Sequence, residues 1–345
     1  MEDKVDGVTI FVLSFYGPIL TAILVLFVFL LFYVMKFRSS LKNDSFTGQH
    51  VVVTGGSSGI GKSVAIQAAA RGANVTIIAR DPNKLRSAKE EISQSCSSSL
   101  QRIVTISLDV TSDAELVAKS LAEVEEASGP IYMLINCAGQ AVCGKIEDTP
   151  INDFKYMMDL NYYGTVYPTR AVLPGMKARG KGHIVITSSQ AGMLGIYGLA
   201  AYSASKYALR GFAESLDMEV RPYGLRVTVC LPPDTDTPGF EIEEKNKPME
   251  TRLISQTSGL LSPEVVASQL LSDAVAGKFF STVGFEGFML TTVCAGMSPV
   301  TSVVDLISQV TLMGLIRLVS VYYLLSFQSI VKKCMKNKDL AKRSE

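Results

Sequence analysis

Tyr202 and Lys206 stand four residues apart in Tyr202-Ser203-Ala204-Ser205-Lys206, so on a helix the phenol and the ammonium share one face, one turn apart. A tyrosine ordinarily titrates near pH ~10, and nearby positive charge lowers that value. Such a phenol can give or take a proton near neutral pH. A second cluster, Thr54-Gly55-Gly56-Ser57-Ser58-Gly59-Ile60-Gly61, follows an apolar run and opens a helical pattern. Glycines there let the backbone turn sharply and come close to a pyrophosphate, which the free N–H groups and dipole of the helix N-terminus attract. Gly55, Ser57, Ser58, Gly59, Ile60 and Gly61 are therefore the candidate dinucleotide cradle.

Arg80 ends the second apolar run, where the adenosine ribose of a dinucleotide would lie. A carboxylate at that position suits a free 2′-hydroxyl, whereas a guanidinium suits a 2′-phosphate. Arg80, with Lys84 as a second cation, therefore points to NADPH over NADH, although Asp81 beside it blurs the signal. The bland reading of both cations is a solvated helix start. Asp109, after the third run, either accepts from the adenine amino group or shapes a turn. Asn136-Cys137-Ala138-Gly139 follows the fourth run, and its small residues let the chain pass close under the cofactor, with Asn136 counted among the contacts. Two histidines, and six cysteines without a C-x-x-C, make a metal site improbable. A net charge of +1 gives no reason to expect nucleic acid as a partner.

These groups need a scaffold, and the chain alternates strand-like runs with helical patterns. Strands are expected at 51–54, 75–79, 103–108, 131–135, 183–187 and 225–230. Helices are expected at about 60–71, from Pro82, from a Ser112 cap to about Ala127, and at 202–220. The alternation predicts an α/β fold, a Rossmann-type doubly wound parallel sheet with helices on both faces. The flanks are a different material. From Gly7 to Met35 there is no charged residue, and Lys36, Arg38 and Lys42 follow. That pattern predicts an N-terminal transmembrane helix with the main domain in the cytosol. Gly287 to Phe327 carries only Asp305 and Arg317 as charges and precedes Lys332, Lys333, Lys336 and Lys338. Three readings stay open for it: membrane-embedded helices breaking near Pro299, amphipathic helices at the interface or around a lipid entrance, and ordinary core helices. The expected division is 1–48 as anchor and linker, 49–282 as the Rossmann-type catalytic domain, and 283–345 as an apolar, membrane-associated region with a basic tail.

The chain resembles the classical short-chain dehydrogenase/reductase family from about residue 49 to 278. The matching pieces are Thr54–Gly61, Asn136–Gly139, Asn161 in Leu160-Asn161-Tyr162, the pair Ser188-Ser189, and Tyr202 with Lys206. The resemblance implies that Tyr202 donates the proton to a carbonyl being reduced and that Lys206 holds the nicotinamide ribose and lowers the tyrosine pKa. It implies that Ser189, or Ser188 beside it, hydrogen-bonds the substrate oxygen, and that Asn161 anchors a relay water. It also implies a homo-oligomer as one form of assembly. One departure matters: Pro232-Pro233-Asp234-Thr235-Asp236-Thr237 stands where the family usually has Pro-Gly. The segments 188–195, 232–239 and 250–255 are similar to the branch that reduces long-chain keto-sphingoid lipids at the endoplasmic reticulum membrane with NADPH, its active site facing the cytosol. A substrate of that kind carries an ammonium, for which Asp234 and Asp236 are candidates; capping or solvated loop roles are the alternative. Membrane-bound reductases of retinoids or steroids, and a non-catalytic NADPH-binding scaffold, are the rival readings.

Overall fold

The computed structural model describes residues 45–256 and 259–344. The expected N-terminal transmembrane helix lies outside the described residues. Among the described residues, seven strands form one parallel sheet in the order β3-β2-β1-β4-β5-β6-β7. They are β1 (His50–Thr54), β2 (Asn74–Ala79), β3 (Ile103–Ser107), β4 (Ile131–Asn136), β5 (His183–Thr187), β6 (Arg226–Cys230) and β7 (Phe280–Ser281). The helices between them are α1 (Gly59–Ala70), α2 (Pro82–Gln94), α3 (Ala114–Ser128), α4 (Ile151–Met157), α5 (Gly164–Arg179), α6 (Ala200–Val220), α7 (Pro238–Asn246), α8 (Met249–Ser255) and α9 (Pro263–Val275).

All five residues of β1 are buried, as a central strand covered on both faces must be. Side chains alternate across the sheet: Val52 enters a core with α3, α5 and α6 residues, while Val51 and Val53 enter a second core with α1, α2 and α9 residues. Each fully buried Val, Leu or Ile in these layers contributes roughly 1.5–3 kcal/mol. The strand order reverses between β1 and β4, which opens a crevice at their carboxyl ends. The glycine loop after β1 and the Asn136–Gly139 turn after β4 face each other there, so close that a Cβ on Gly55 would lie 2.8 Å from the Ala138 nitrogen.

Local signals explain the borders. Pro82 opens α2, and the Asp81 carboxylate caps it by accepting from the Asn83 and Lys84 N–H groups. The expected Ser112 cap on α3 is corrected to Asp113, which accepts from Glu115 and Leu116; the Ser112 hydroxyl instead donates to the Asp109 carbonyl. A π-helical segment, Met158–Tyr163, joins α4 to α5 and carries Asn161. β7 is two residues long and extends the sheet beyond the six expected strands.

The apolar C-terminal region is helical: α10 (Gly284–Val293), a turn containing Pro299, and α11 (Val303–Ser344). The section Val303–Lys338 is long and apolar enough to cross a membrane, and only 6% of its most apolar window is buried. That exposure argues against ordinary core helices. Polar contacts at both ends fasten the region to the catalytic domain. Arg210 donates to the Ala295 carbonyl and the Ser298 hydroxyl, both at 2.9 Å, and Lys338 pairs with the buried Glu250 at 2.7 Å.

Candidate active site

A cavity of about 520 Å³ runs from the glycine loop, past Arg80, to Tyr202 and on to α10 and α11. It collects Gly55, Ser57, Ser58, Gly59, Ile60, Gly61, Arg80, Lys84, Asp109, Ser188, Ser189, Tyr202 and Lys206 in one wall system. At the cradle, a Cβ on Gly61 would meet the Gly55 oxygen at 2.4 Å, so only glycine fits. Ser58 stands at the N-cap of α1 without a side-chain cap bond, and the first turn carries no acidic residue. The helix therefore offers uncapped N–H groups and an unopposed dipole to the cavity, which fits a pyrophosphate.

At the next station the Asp81 carboxylate is engaged in capping α2. Arg80 and Lys84 are exposed and line the cavity here beside Asp81 and Asp109, and the two cations fit a 2′-phosphate. Asp109 shapes a turn: its Oδ1 accepts from the Thr111 N–H and hydroxyl, while its Oδ2 lies 3.9 Å from Arg80. The side chain thus makes the turn contacts through Oδ1, and the residue also lines the cavity.

Helix α6 carries Tyr202 and Lys206. The Lys206 ammonium lies 5.7 Å from the centre of the Tyr202 ring and donates to the Thr187 carbonyl at 2.9 Å. Burial pushes the lysine down to about 8. The expectation that Lys206 makes the phenol more acidic is not met. Burial pushes Tyr202 above its ordinary value, the carboxylates of Glu243 and Asp234 add to this, and a hydrogen bond with Ser189 pulls the other way. The physical reason is that taking a phenolate out of water costs more than the Ser189 hydrogen bond returns, and the nearby carboxylates disfavour the anion further. The phenol is thus protonated at neutral pH, the form that donates.

The two serines separate by direction. Ser188 is buried and its hydroxyl donates to the Lys206 carbonyl at 3.0 Å, which leaves it holding α6 against β5. Ser189 bonds the Ala191 N–H and the Tyr202 phenol, beside the reacting oxygen. Neither asparagine lines the cavity. Asn136 turns into the core, where its amide donates to Thr169 and the Val185 carbonyl. Asn161 is a brace: Oδ1 accepts from the Gln140 N–H, and Nδ2 donates to the Gln140 carbonyl and the Ser205 hydroxyl. Ser205 in turn donates to the Tyr202 carbonyl, so Asn161 ties the β4 turn to the tyrosine's own helix turn.

The segment that replaces the family's Pro-Gly is pinned. Pro232 accepts from the Gln190 N–H, and Asp234 and Asp236 exchange backbone bonds with Leu261. Asp234 lines the cavity; Asp236 is exposed and lies outside its wall. Sequence reasoning missed Glu243, which also lines the cavity and whose carboxyl burial pushes up. It missed the buried Lys247 as well, paired with Glu243 at 3.0 Å, Glu244 at 2.7 Å and Asp234 at 3.4 Å. The Glu243–Lys247 spacing is a visible i,i+4 pair, but nothing local tells which way it faces.

Comparison with known proteins agrees with this architecture. The model of the short chain dehydrogenase family matches residues 49–248. A Bos taurus protein named 3-ketodihydrosphingosine reductase is 50% identical over 317 residues, covering 92% of this chain and 95% of that one. A Danio rerio protein named 3-dehydrosphinganine reductase is 47% identical over 327 residues, covering 95% and 98%. Among solved structures, a short-chain dehydrogenase from Streptomyces avermitilis superposes with a TM-score of 0.60 at 30% identity, covering 71% of this chain and 90% of that one.

Proposed function

This chain belongs to the short-chain dehydrogenase family, and on that premise we propose that it reduces 3-ketodihydrosphingosine to dihydrosphingosine with NADPH. The observation that carries the reading is one cavity in which a protonated phenol, a cation-flanked glycine cradle and an apolar helical wall meet. Gly55, Ser57, Ser58, Gly59, Ile60 and Gly61 would hold the pyrophosphate, and Arg80 with Lys84 the 2′-phosphate. When bound, the cofactor supplies the hydride for C3 of the ketone. Tyr202 gives its proton to the ketone oxygen. Ser189 hydrogen-bonds the same oxygen and keeps it beside the phenol. Lys206 would hold the nicotinamide ribose, its ammonium positioned by the bond to the Thr187 carbonyl. Asn161 keeps Tyr202 and the β4 turn in register, and we retain for it the family's part in the proton relay. Asp234 faces the substrate's ammonium; Asp236, outside the wall, does not take part.

The enzyme works at the endoplasmic reticulum membrane with its catalytic domain in the cytosol. The uncharged run 7–35 with cations behind it and the exposed apolar α11 with its lysine-rich end support this placement. A substrate panel tests the function: full-length protein with NADPH and, in parallel, 3-ketodihydrosphingosine, retinal and a 3-ketosteroid. The reading expects kcat/KM at least 100-fold higher on the sphingoid ketone. Comparable or greater turnover of retinal or the steroid rejects it.

A further inference from the structure

The cavity does not end at the catalytic groups. Its far wall is built from α10 and α11, elements that follow the 49–248 match to the family. On α10, Leu290 and Val293 line it, with Glu286 in the helix's first turn; on α11, Ser320, Tyr323, Leu324 and Phe327 do. The α11 set falls at spacings of three and four, so it is one stripe of the helix. With Arg317 at its start, the stripe runs to Phe327, about 15 Å at 1.5 Å per residue. The other side of the same helix is also apolar and is exposed: Leu315 is 64% exposed, Leu318 69%, Tyr322 71% and Leu325 59%. A helix apolar on two faces, one toward a cavity and one toward the outside, is poorly placed in water and well placed at the edge of a bilayer.

We propose that α10 and α11 form the binding site for the substrate's alkyl chain, with α11 standing between the bilayer and the cavity so that the chain enters from the lipid side. The inference rests on the functional reading above and adds to it the residues that select for a long tail. The cavity's continuity from Tyr202 to Phe327 commits the groove to a single-chain amphiphile whose polar end reaches the phenol. Moving such a tail from lipid to an equally apolar wall costs little, whereas each methylene left in water costs about 0.8 kcal/mol. The Arg210 contacts to the turn before α11 and the Lys338–Glu250 pair hold this wall to the catalytic domain at both ends.

The test uses full-length protein in phosphatidylcholine nanodiscs and a 3-keto amine bearing a diazirine at the end of its alkyl chain. After irradiation and digestion, label is expected on peptides containing 286–294 or 317–327, and excess unreactive analogue suppresses it. Label confined to other peptides, or label that competition leaves in place, overturns the inference. Leu290→Trp and Leu324→Trp add a kinetic arm. Their kcat/KM for the long-chain amino ketone is expected to fall at least tenfold further than for a short-chain, water-soluble amino ketone; equal falls overturn the inference. If wild-type protein with NADPH reduces neither ketone, the functional reading fails. If it reduces both and the label or the ratio goes astray, the tail site alone fails.

Discussion

Ser189 and Ser188 are neighbours in sequence but point their hydroxyls to opposite duties: Ser189 to the Tyr202 phenol, Ser188 to the carbonyl of Lys206. Replacing each by alanine should separate the two. Ser189→Ala removes a donor from the reacting oxygen and should lower kcat by about 10²–10³. Ser188→Ala removes a buried hydrogen bond and should cost about 1 kcal/mol of stability with a rate loss under tenfold. Steady-state kinetics beside a thermal melt read both effects, and the reverse pattern would transfer the carbonyl contact to Ser188.

Tyr202→Phe keeps the ring and deletes the proton. Turnover should drop by about 10²–10⁴ while NADPH fluorescence on binding persists. The pH profile should show the lysine first. Lys206, pushed down to about 8, is charged below that pH and neutral above it, while the phenol stays protonated throughout. The reduction rate should therefore be flat from pH 6 to 7.5 and fall as pH rises through about 8. A rate that climbs through that range would mean a deprotonated group drives the step.

Arg80→Ala should raise KM for NADPH at least tenfold and leave KM for NADH within threefold, because NADH lacks the 2′-phosphate that the proposed reading pairs with the guanidinium. Equal changes for both cofactors would make Arg80 a structural partner of Asp109 only.

His183 is buried against Thr228, and burial pushes its imidazole down to about 3. Below the ordinary value of about 6.5 the unfolded chain takes a proton that the folded chain refuses. Stability from this site is thus whole above pH 6.5 and declines as pH falls toward 3, by up to about 1.4 kcal/mol per unit. Melting midpoints between pH 7 and 4.5 should fall, and fall less steeply in His183→Asn.

How much of this was readable from residues follows from how local each signal is. Buried central strands announce themselves as unbroken apolar runs, and His50–Thr54 and His183–Thr187 differ from expectation by a residue at most. The glycine cradle and the Tyr202–Lys206 turn are short-range patterns, so their place in the cavity was legible. β7 escaped notice because two residues carry no period. Asn136 was misplaced because a strand's last side chain can face the cavity or the core, and only the packing of Thr169 decides. Glu243 and the pKa of Tyr202 were beyond reach for a common reason: burial depends on α7 folding back over the site, which no local spacing encodes. The C-terminal region left three readings open because an apolar stripe looks alike against lipid, core or ligand; α11 faces both a cavity and the exterior.

The most direct measurement follows the transferred hydrogen. Full-length protein is supplied with 3-ketodihydrosphingosine and NADPH deuterated on the transferring face of nicotinamide C4, and the product is weighed and mapped by mass spectrometry. One deuterium at C3 of dihydrosphingosine per cofactor oxidised, abolished in Tyr202→Phe, is the predicted result. Product without the label at C3, or label transfer that survives loss of the phenol undiminished, would contradict the account.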